Sequence, residues 1–288
     1  MKITTRLRKL IEKKGIIVGP GVYDCLSAKL AEKAGFKLVT ITGAGITASV
    51  LGYPDMGLIT MTEVLHQVRN IVKSVHIPVF ADCDTGYGNA LNVYRTVQEF
   101  EDAGVAGLFI EDQVFPKRCG HFEGKQIIST EEMVKKIEAA LDARRDPDLV
   151  IMARTDARAI DGLDKAIERA RAYVKAGADI IFIEAPQTVE ELRKVAKSVN
   201  VPTMANMVEG GKTPVVSVQE LQEMGFKLVV FSGSAQKMAI RAMQELFSVL
   251  KTTGRLDGVL EKIASLSERS EILELSKFYE MEKKYGTP

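Results

Sequence analysis

Cysteine, histidine and net charge are all scarce in this chain of 288 residues, and each scarcity closes off a class of protein. Three cysteines, an odd number set far apart at 25, 83 and 119, make no disulfide framework and suit a reducing cytoplasm. With 39 basic and 38 acidic residues, no broad basic field is present to gather nucleic acid or an anionic membrane. Zinc finds no home among three histidines. Cys119 and His121 lack a second pair at zinc spacing, His66 falls on an expected helix and His76 just before a strand. No apolar run reaches membrane-spanning length without a charge or glycine, and the opening MKITTRLRKLIEKKG carries no apolar stretch of the signal-peptide kind. Low-complexity linkers are missing as well. The expectation is a soluble cytoplasmic protein, one domain over 1–288, with partners that are small molecules rather than nucleic acid or membrane.

What is present is a rhythm. Eight short apolar runs, Ile16–Gly19, Lys37–Thr42, Ile77–Asp82, Gly107–Glu111, Leu149–Arg154, Ile180–Glu184, Val201–Asn206 and Lys227–Phe231, alternate with helical patterns such as Cys25–Ala34, Thr62–Ser74, Ala90–Ala103 and Leu163–Ala176. That alternation predicts an α/β fold, a (β/α)8 barrel of the TIM type. The phrases AGF, AGV, AGA and MGF, starting at 34, 103, 176 and 224, place a glycine just past a helix, where a left-handed residue ends it. A doubly wound open sheet is the alternative, but it usually has fewer strands and a glycine-rich fingerprint that is missing here. After the eighth unit come a helical segment at Arg241–Leu250 and a polar helical tail from about 256 to 285. Its apolar stripe, including Ile272, Leu273, Leu275, Phe278, Tyr279 and Met281, must pack on its own barrel or on a neighbouring subunit.

Barrel enzymes gather their chemistry at the C-terminal ends of the strands. Those ends carry Thr42-Gly43-Ala44, Asp82, Asp84, Glu111-Asp112, Arg154-Thr155-Asp156, Glu184, Asn206 and Ser232-Gly233-Ser234. Some of these, Asp156, Ser232 and Ser234 among them, read equally well as helix caps. Three acidic ends beside an arginine ask for more than capping. Asp82 and Asp84, two apart on extended backbone, point to the same side while Cys83 faces away into packing. Converging carboxylates, joined by Glu111, repel one another without a cation between them, and hard oxygen donors with few protein contacts suit Mg2+, with Mn2+ as its substitute. The competing reading has these acids capping helices or pairing with Arg154. Arg154 itself either grips a substrate carboxylate or phosphate, or closes an internal salt bridge to Glu184 or Glu111. The loop VEGGKTP at 208–214 is either an anion-binding loop or a turn.

The stretch VFPKRCGHF, residues 114–122, sets Cys119 beside Lys117, Arg118 and His121. Cations next to a thiol favour its thiolate, which separates Cys119 from a merely packed cysteine if the loop lies in the site.

The phrases DCDTGYGN, EDQVFPKRCGH, MARTDA, IEAP and ANMVEGGKTP, in this order along almost the whole chain, resemble the motif set of the isocitrate lyase and phosphoenolpyruvate mutase superfamily. Within it the chain looks most like the short lyases that act on 2-methylisocitrate, 2,3-dimethylmalate or, in plant petals, oxaloacetate and alkylmalates. The resemblance implies a Mg2+-dependent carbon–carbon lyase, with Asp82 and Asp84 in the metal site and Glu111 in its outer shell. It implies that amides of Thr42, Gly43 and Ala44 bind an oxo-acid carboxylate, that Asp55 stands near the metal's waters, and that Gly120, His121, Arg154, Glu184 and Asn206 complete the substrate pocket. It also implies a homotetramer whose terminal helices are exchanged between subunits.

On that reading the substrate is a 2-hydroxy di- or tricarboxylate. The hydroxyl loses its proton to Glu111, Asp55 or a metal-bound hydroxide, the C2–C3 bond breaks, and Cys119 protonates the carboxylate fragment. Lys237 stands where 2-methylisocitrate lyases have an arginine, and Thr40 where they have a tyrosine. Both favour a smaller dicarboxylate of the 2,3-dimethylmalate type, while Arg269 matches the tricarboxylate enzymes. Oxaloacetate hydrolysis or decarboxylation needs the same oxo-acid site. A phosphoenolpyruvate mutase or phosphonopyruvate hydrolase would carry an asparagine-serine pair where CGH stands here. A metabolite-binding barrel without catalysis is the alternative from outside enzymology.

Overall fold

The computed structural model describes residues 1–286, which form two compact units, Met1–Ala235 and a second from Gln236 onward. Eight parallel strands close the first unit into a barrel in sequence order: β1 Ile17–Val22, β2 Val39–Ile41, β3 Val79–Asp82, β4 Gly107–Glu111, β5 Val150–Thr155, β6 Ile180–Ile183, β7 Thr203–Asn206 and β8 Leu228–Phe231. Closure is made by β1 and β8, with Ile17 opposite Leu228 and Pro20 opposite Phe231. The eight expected strands are therefore present, as are the helices Cys25–Lys33, Met61–Ser74, Ala90–Ala103 and Leu163–Lys175 between them. The glycine punctuation works as expected: Gly104 and Gly225 end their helices at φ 90° and 111°, where any side chain would be strained.

Strand alternation divides the apolar residues into two cores. One lies between sheet and helices, and Cys83 belongs to it, fully buried. The other fills the barrel with Leu38, Phe80, Phe109, Met152, Phe182 and Met204, their aromatic rings in contact at centroid distances of 6.3 and 6.1 Å. The N-terminal mouth is closed by a helix, Ile3–Glu12, whose Leu7 is wholly buried in that inner core with Ile3, Leu10 and Ile11 beside it. The sequence reading passed over this helix. Its apolar residues, spaced four, three and one apart, carry the helical signal.

After β8 the expected continuous tail is broken. Ser234–Thr253 is one helix, and a short 3-10 turn at Leu260–Lys262 is followed by helices Leu266–Ile272 and Leu275–Tyr285. Two local signals interrupt it: Ser265 and Glu268 form a capping box, and Glu274 takes a left-handed conformation at φ 56°. Among the described residues no helix is long and apolar enough to cross a membrane.

Candidate active site

β3 stops at Asp82, and the chain then turns through a run of left-handed residues, with φ 48° at Asp84, 82° at Gly86, 60° at Tyr87 and 148° at Gly88. Asp82 and Asp84 still converge, but through this turn rather than by strand alternation. The Asp84 amide donates to Asp82 Oδ1 at 3.0 Å, and a Cβ on Gly43 would lie 3.0 Å from Asp82 Oδ2 and 3.2 Å from Asp84 Oδ1. Glycine at 43 thus lets backbone come down onto both carboxylates.

Of the amides expected to bind a substrate carboxylate, two are already engaged. Thr42 N–H donates to Val22 O and Gly43 N–H to Asp82 Oδ2, at 3.1 and 3.2 Å. Thr42 caps the helix Gly43–Leu51 by accepting from Gly45 N–H. That leaves Ala44 as the first-turn amide that helix geometry keeps without a partner.

The loop after β4 folds over these carboxylates. Gln113 and Ile127 bridge at its base, and the Gln113 side chain brackets Arg118, donating to its carbonyl at 2.8 Å and accepting from its amide at 2.9 Å. Lys117, 4% exposed, places its ammonium 2.5 Å from Asp55 Oδ1 and 2.7 Å from Asp84 Oδ1. The Cys119 amide donates to Asp55 O at 3.1 Å. His121 Nδ1 accepts from the Lys212 amide at 3.1 Å, so its proton sits on Nε2, buried without a hydrogen-bond partner 3.6 Å from Glu184 Oε1. The VEGGKTP segment is a turn, closed by Gly211 N–H to Val208 O, and its role is to meet this loop.

The expected thiolate-stabilising ring is not what forms around Cys119. Lys117 is engaged by Asp55 and Asp84, the Arg118 guanidinium donates to Glu123 O, and burial holds the His121 imidazole below its ordinary value, keeping it neutral. Burial pushes the Cys119 thiol up, with Asp55 and Glu184 adding to the shift against the His121 amide and Arg154. Cys119 is a protonated thiol at neutral pH. That is the form a proton donor needs.

Of the two readings the sequence left open, the structure shows the internal salt bridges for Arg154. Its Nε lies 3.2 Å from Glu111 Oε2, its Nη1 3.3 Å from Glu184 Oε2, and Asp156 grips it in bidentate fashion at 2.9 and 3.1 Å, while the Phe182 ring packs 5.2 Å from the guanidinium carbon. Asp156 is thus no helix cap. Asp112, fully buried, accepts from Thr155 Oγ1 and Tyr173 OH at 2.7 Å each and from the Asp156 amide at 2.9 Å, fixing the end of β5. Asn206 donates to Glu184 at 3.4 Å and accepts from Ser232 at 3.0 Å, and Ser234 donates to Glu209. Lys237 and Arg269 belong to the second unit, on the helices Ser234–Thr253 and Leu266–Ile272.

Seven carboxylates, of Asp55, Asp82, Asp84, Glu111, Asp112, Asp156 and Glu184, thus share this end of the barrel with five cations, Lys117, Lys125, Lys136, Arg154 and Arg169. The imbalance leaves its mark. Burial pushes Asp84 up to about 6 against the pull of Lys117, and pushes Glu111 well up against Arg154 and Lys117. Asp84 Oδ1 and Glu111 Oε1 are buried without an aligned hydrogen bond. Among the described residues no three His, Cys, Asp or Glu side chains are grouped as an all-protein metal cage. Mg2+ asks for no such cage, because it keeps waters and substrate oxygens around one or two carboxylates, and the donor set of Asp82 and Asp84 fits it.

Sequence reasoning undervalued Lys117 and missed Lys125. Both lie in the cysteine loop, where no periodicity marks which lysines turn inward.

Comparison with known proteins agrees with this geometry. The family model of phosphoenolpyruvate phosphomutase matches residues 7–251. The chain is 46% identical to 2,3-dimethylmalate lyase of Eubacterium barkeri, covering 100% of this chain and 99% of that one. It is 47% identical to 2-methylisocitrate lyase of Aeropyrum pernix, covering 96% and 88%. A solved structure of oxaloacetate acetylhydrolase, in complex with the inhibitor 3,3-difluorooxalacetate, superposes with a TM-score of 0.94 at 36% identity, covering 99% and 97%. A barrel with this carboxylate-rich mouth, matched along almost its whole length, belongs to the phosphoenolpyruvate mutase/isocitrate lyase superfamily, and the chain is an enzyme of that family.

Proposed function

We propose that this enzyme is a Mg2+-dependent carbon–carbon lyase that cleaves a 2-hydroxy dicarboxylate of the 2,3-dimethylmalate type into a 2-oxo acid and a carboxylate. The observation that carries the reading is the surplus of carboxylates over cations at this mouth, beneath a loop that brings a protonated thiol over them. Asp82 and Asp84 would hold the ion, which supplies positive charge and Lewis-acid polarisation of the substrate's hydroxyl oxygen. Arg154, Asn206, the His121 Nε2–H and the Ala44 amide bind and orient the substrate's carboxylates, and the Phe182 ring closes the floor. Glu111, whose Oε1 lies buried without a partner, takes the hydroxyl proton. The C2–C3 bond then breaks, its electrons pass to C3 of the departing fragment, and the Cys119 S–H returns a proton to that carbon. A malate methylated at C2 and C3 gives pyruvate and propionate.

Lys237 in place of arginine and Thr40 in place of tyrosine support a dicarboxylate over a tricarboxylate. The homotetramer is part of the same reading, and the exposed Met238, Phe247, Leu266 and Phe278 of the second unit are the surface it would cover. A substrate panel with Mg2+, comparing 2,3-dimethylmalate, 2-methylisocitrate, oxaloacetate and phosphonopyruvate by release of 2-oxo acid or oxalate, tests the assignment. The expected order puts 2,3-dimethylmalate first by at least about tenfold in kcat/KM, a margin the removal of one charged contact commonly makes. Turnover of phosphonopyruvate alone would overturn it.

A further inference from the structure

Lys125 stands outside the residues given roles above, yet its side chain is only 2% exposed. Its ammonium donates to the Gly120 carbonyl, next to Cys119, and lies 3.4 Å from Asp156 Oδ1. Asp156 cannot easily follow a moving loop. Arg154 grips its carboxylate in bidentate fashion, and its amide donates to the buried Asp112. Gly120 has no slack either: a Cβ there would lie 2.5 Å from Glu184 Cγ and 2.6 Å from Arg154 Nη2.

The other ties on this loop lead elsewhere. Cys119 N–H reaches the segment of Asp55, and His121 reaches the Gly210–Thr213 turn. Lys117 leads to carboxylates that a divalent cation would share. Gln113, just past β4, holds the Arg118 backbone on one side of the thiol, and the Lys125 tie joins the Gly120 carbonyl on its other side to the end of β5 through a group with no other assigned task.

We propose that Lys125 is a positioning residue, a strut from the Asp156 carboxylate to the Gly120 carbonyl that sets the depth at which the Cys119 thiol stands over the site. Without it the loop opens more often and the sulfur loses its fixed approach, while the substrate's own contacts stay in place. The kinetic part of this inference rests on the lyase reading; the part read from the thiol does not.

The test compares Lys125→Met, Lys125→Gln and Lys125→Arg in the full chain. Cys119 alkylation by iodoacetamide is followed by peptide mass spectrometry, with Cys25 as internal control and the buried Cys83 as a reporter of unfolding. Loss of one charge-assisted hydrogen bond should raise the Cys119 rate about tenfold or more in the Met variant, with Cys25 unchanged. Arg, which keeps the cation, should restore most of the difference, and Gln covers the case in which Met does not fold. For the substrate the panel identifies, kcat should fall more than KM rises. Folded Met or Gln variants with wild-type Cys119 reactivity would overturn the strut, as would a parallel rise at Cys25. Faster Cys119 alkylation in a protein that cleaves no substrate would uphold the strut and overturn the lyase reading instead.

Discussion

Asp179 at one end of the barrel and Asp84 at the other are the same residue in opposite circumstances. Just before β6, the Asp179 carboxylate accepts from Arg8 at 2.7 Å, from Arg144 at 2.9 Å and from the Ile151 amide at 2.9 Å. Just after β3, Asp84 shares one lysine with Asp55 and is crowded by Asp82. The contrast holds more widely. Of the seven buried side-chain polar atoms without an aligned hydrogen bond among the described residues, six belong to Asp84, Thr85, Tyr87, Glu111, His121 and Thr213, at or beyond the C-terminal ends of strands, and that of Asp84 meets only the Lys117 ammonium; Thr203 alone begins a strand. Unsatisfied buried polar atoms are costly, so a fold keeps them where a ligand will complete them. The N-terminal end is built for stability, the C-terminal end for chemistry.

The comparison can be broken most decisively at Asp84. Asp84→Asn should lower kcat/KM by about a thousandfold or more, since it removes a metal-site carboxylate. Yet the metal-free variant should be more stable than wild type. Folding raises the Asp84 pKa from 3.8 to about 6, so the stability this group contributes is complete below about pH 4 and is lost as pH rises through about 6. Asparagine mimics the protonated form and should recover up to about 3 kcal/mol at pH 7, read as a higher Tm with a flatter dependence between pH 4 and 7. A lower Tm at pH 7 would contradict the account of that end.

Next in size is Cys119→Ser, a hydroxyl in place of a thiol as proton donor. It should keep fold and ligand binding while losing about 10²- to 10⁴-fold in kcat. Unchanged turnover would remove Cys119 from the reaction. The smallest effect sharpens the other side. Asp179→Asn should cost about 1.5–3 kcal/mol, the worth of hydrogen bonds to a charged group, with little change in kcat. The same substitution at the two ends should thus move Tm in opposite directions.

The barrel was legible because its evidence is local and periodic: apolar runs of strand length, helical spacing between them, and glycines such as Gly104 and Gly225 at the junctions. The chemical groups at the strand ends were legible for the same reason, since a known strand says where Asp82, Glu111, Arg154 and Glu184 must stand. What escaped depends on side-chain contacts that no periodicity announces, even between near neighbours. Arg154, two residues away, takes Asp156 from helix capping to a buried ion pair, and Lys125 turns back onto Gly120 five residues before it. Asp84 shows a subtler gap. Its convergence with Asp82 was anticipated from extended backbone, but a left-handed turn produces it, which the following Gly86 and Gly88 hint at. Local cation counting failed at Cys119, because Lys117 and Arg118 spend their charge on partners that sequence proximity does not reveal.

The most direct test of the central claim, that the surplus of buried carboxylate is a seat for a divalent cation that drives carbon–carbon cleavage, is a Mg2+ titration of chelator-stripped enzyme with 2,3-dimethylmalate, following pyruvate release. The account predicts no release without the metal, saturable activation as Mg2+ is added, and no activation in Asp84→Asn. Undiminished release from the stripped enzyme would contradict it.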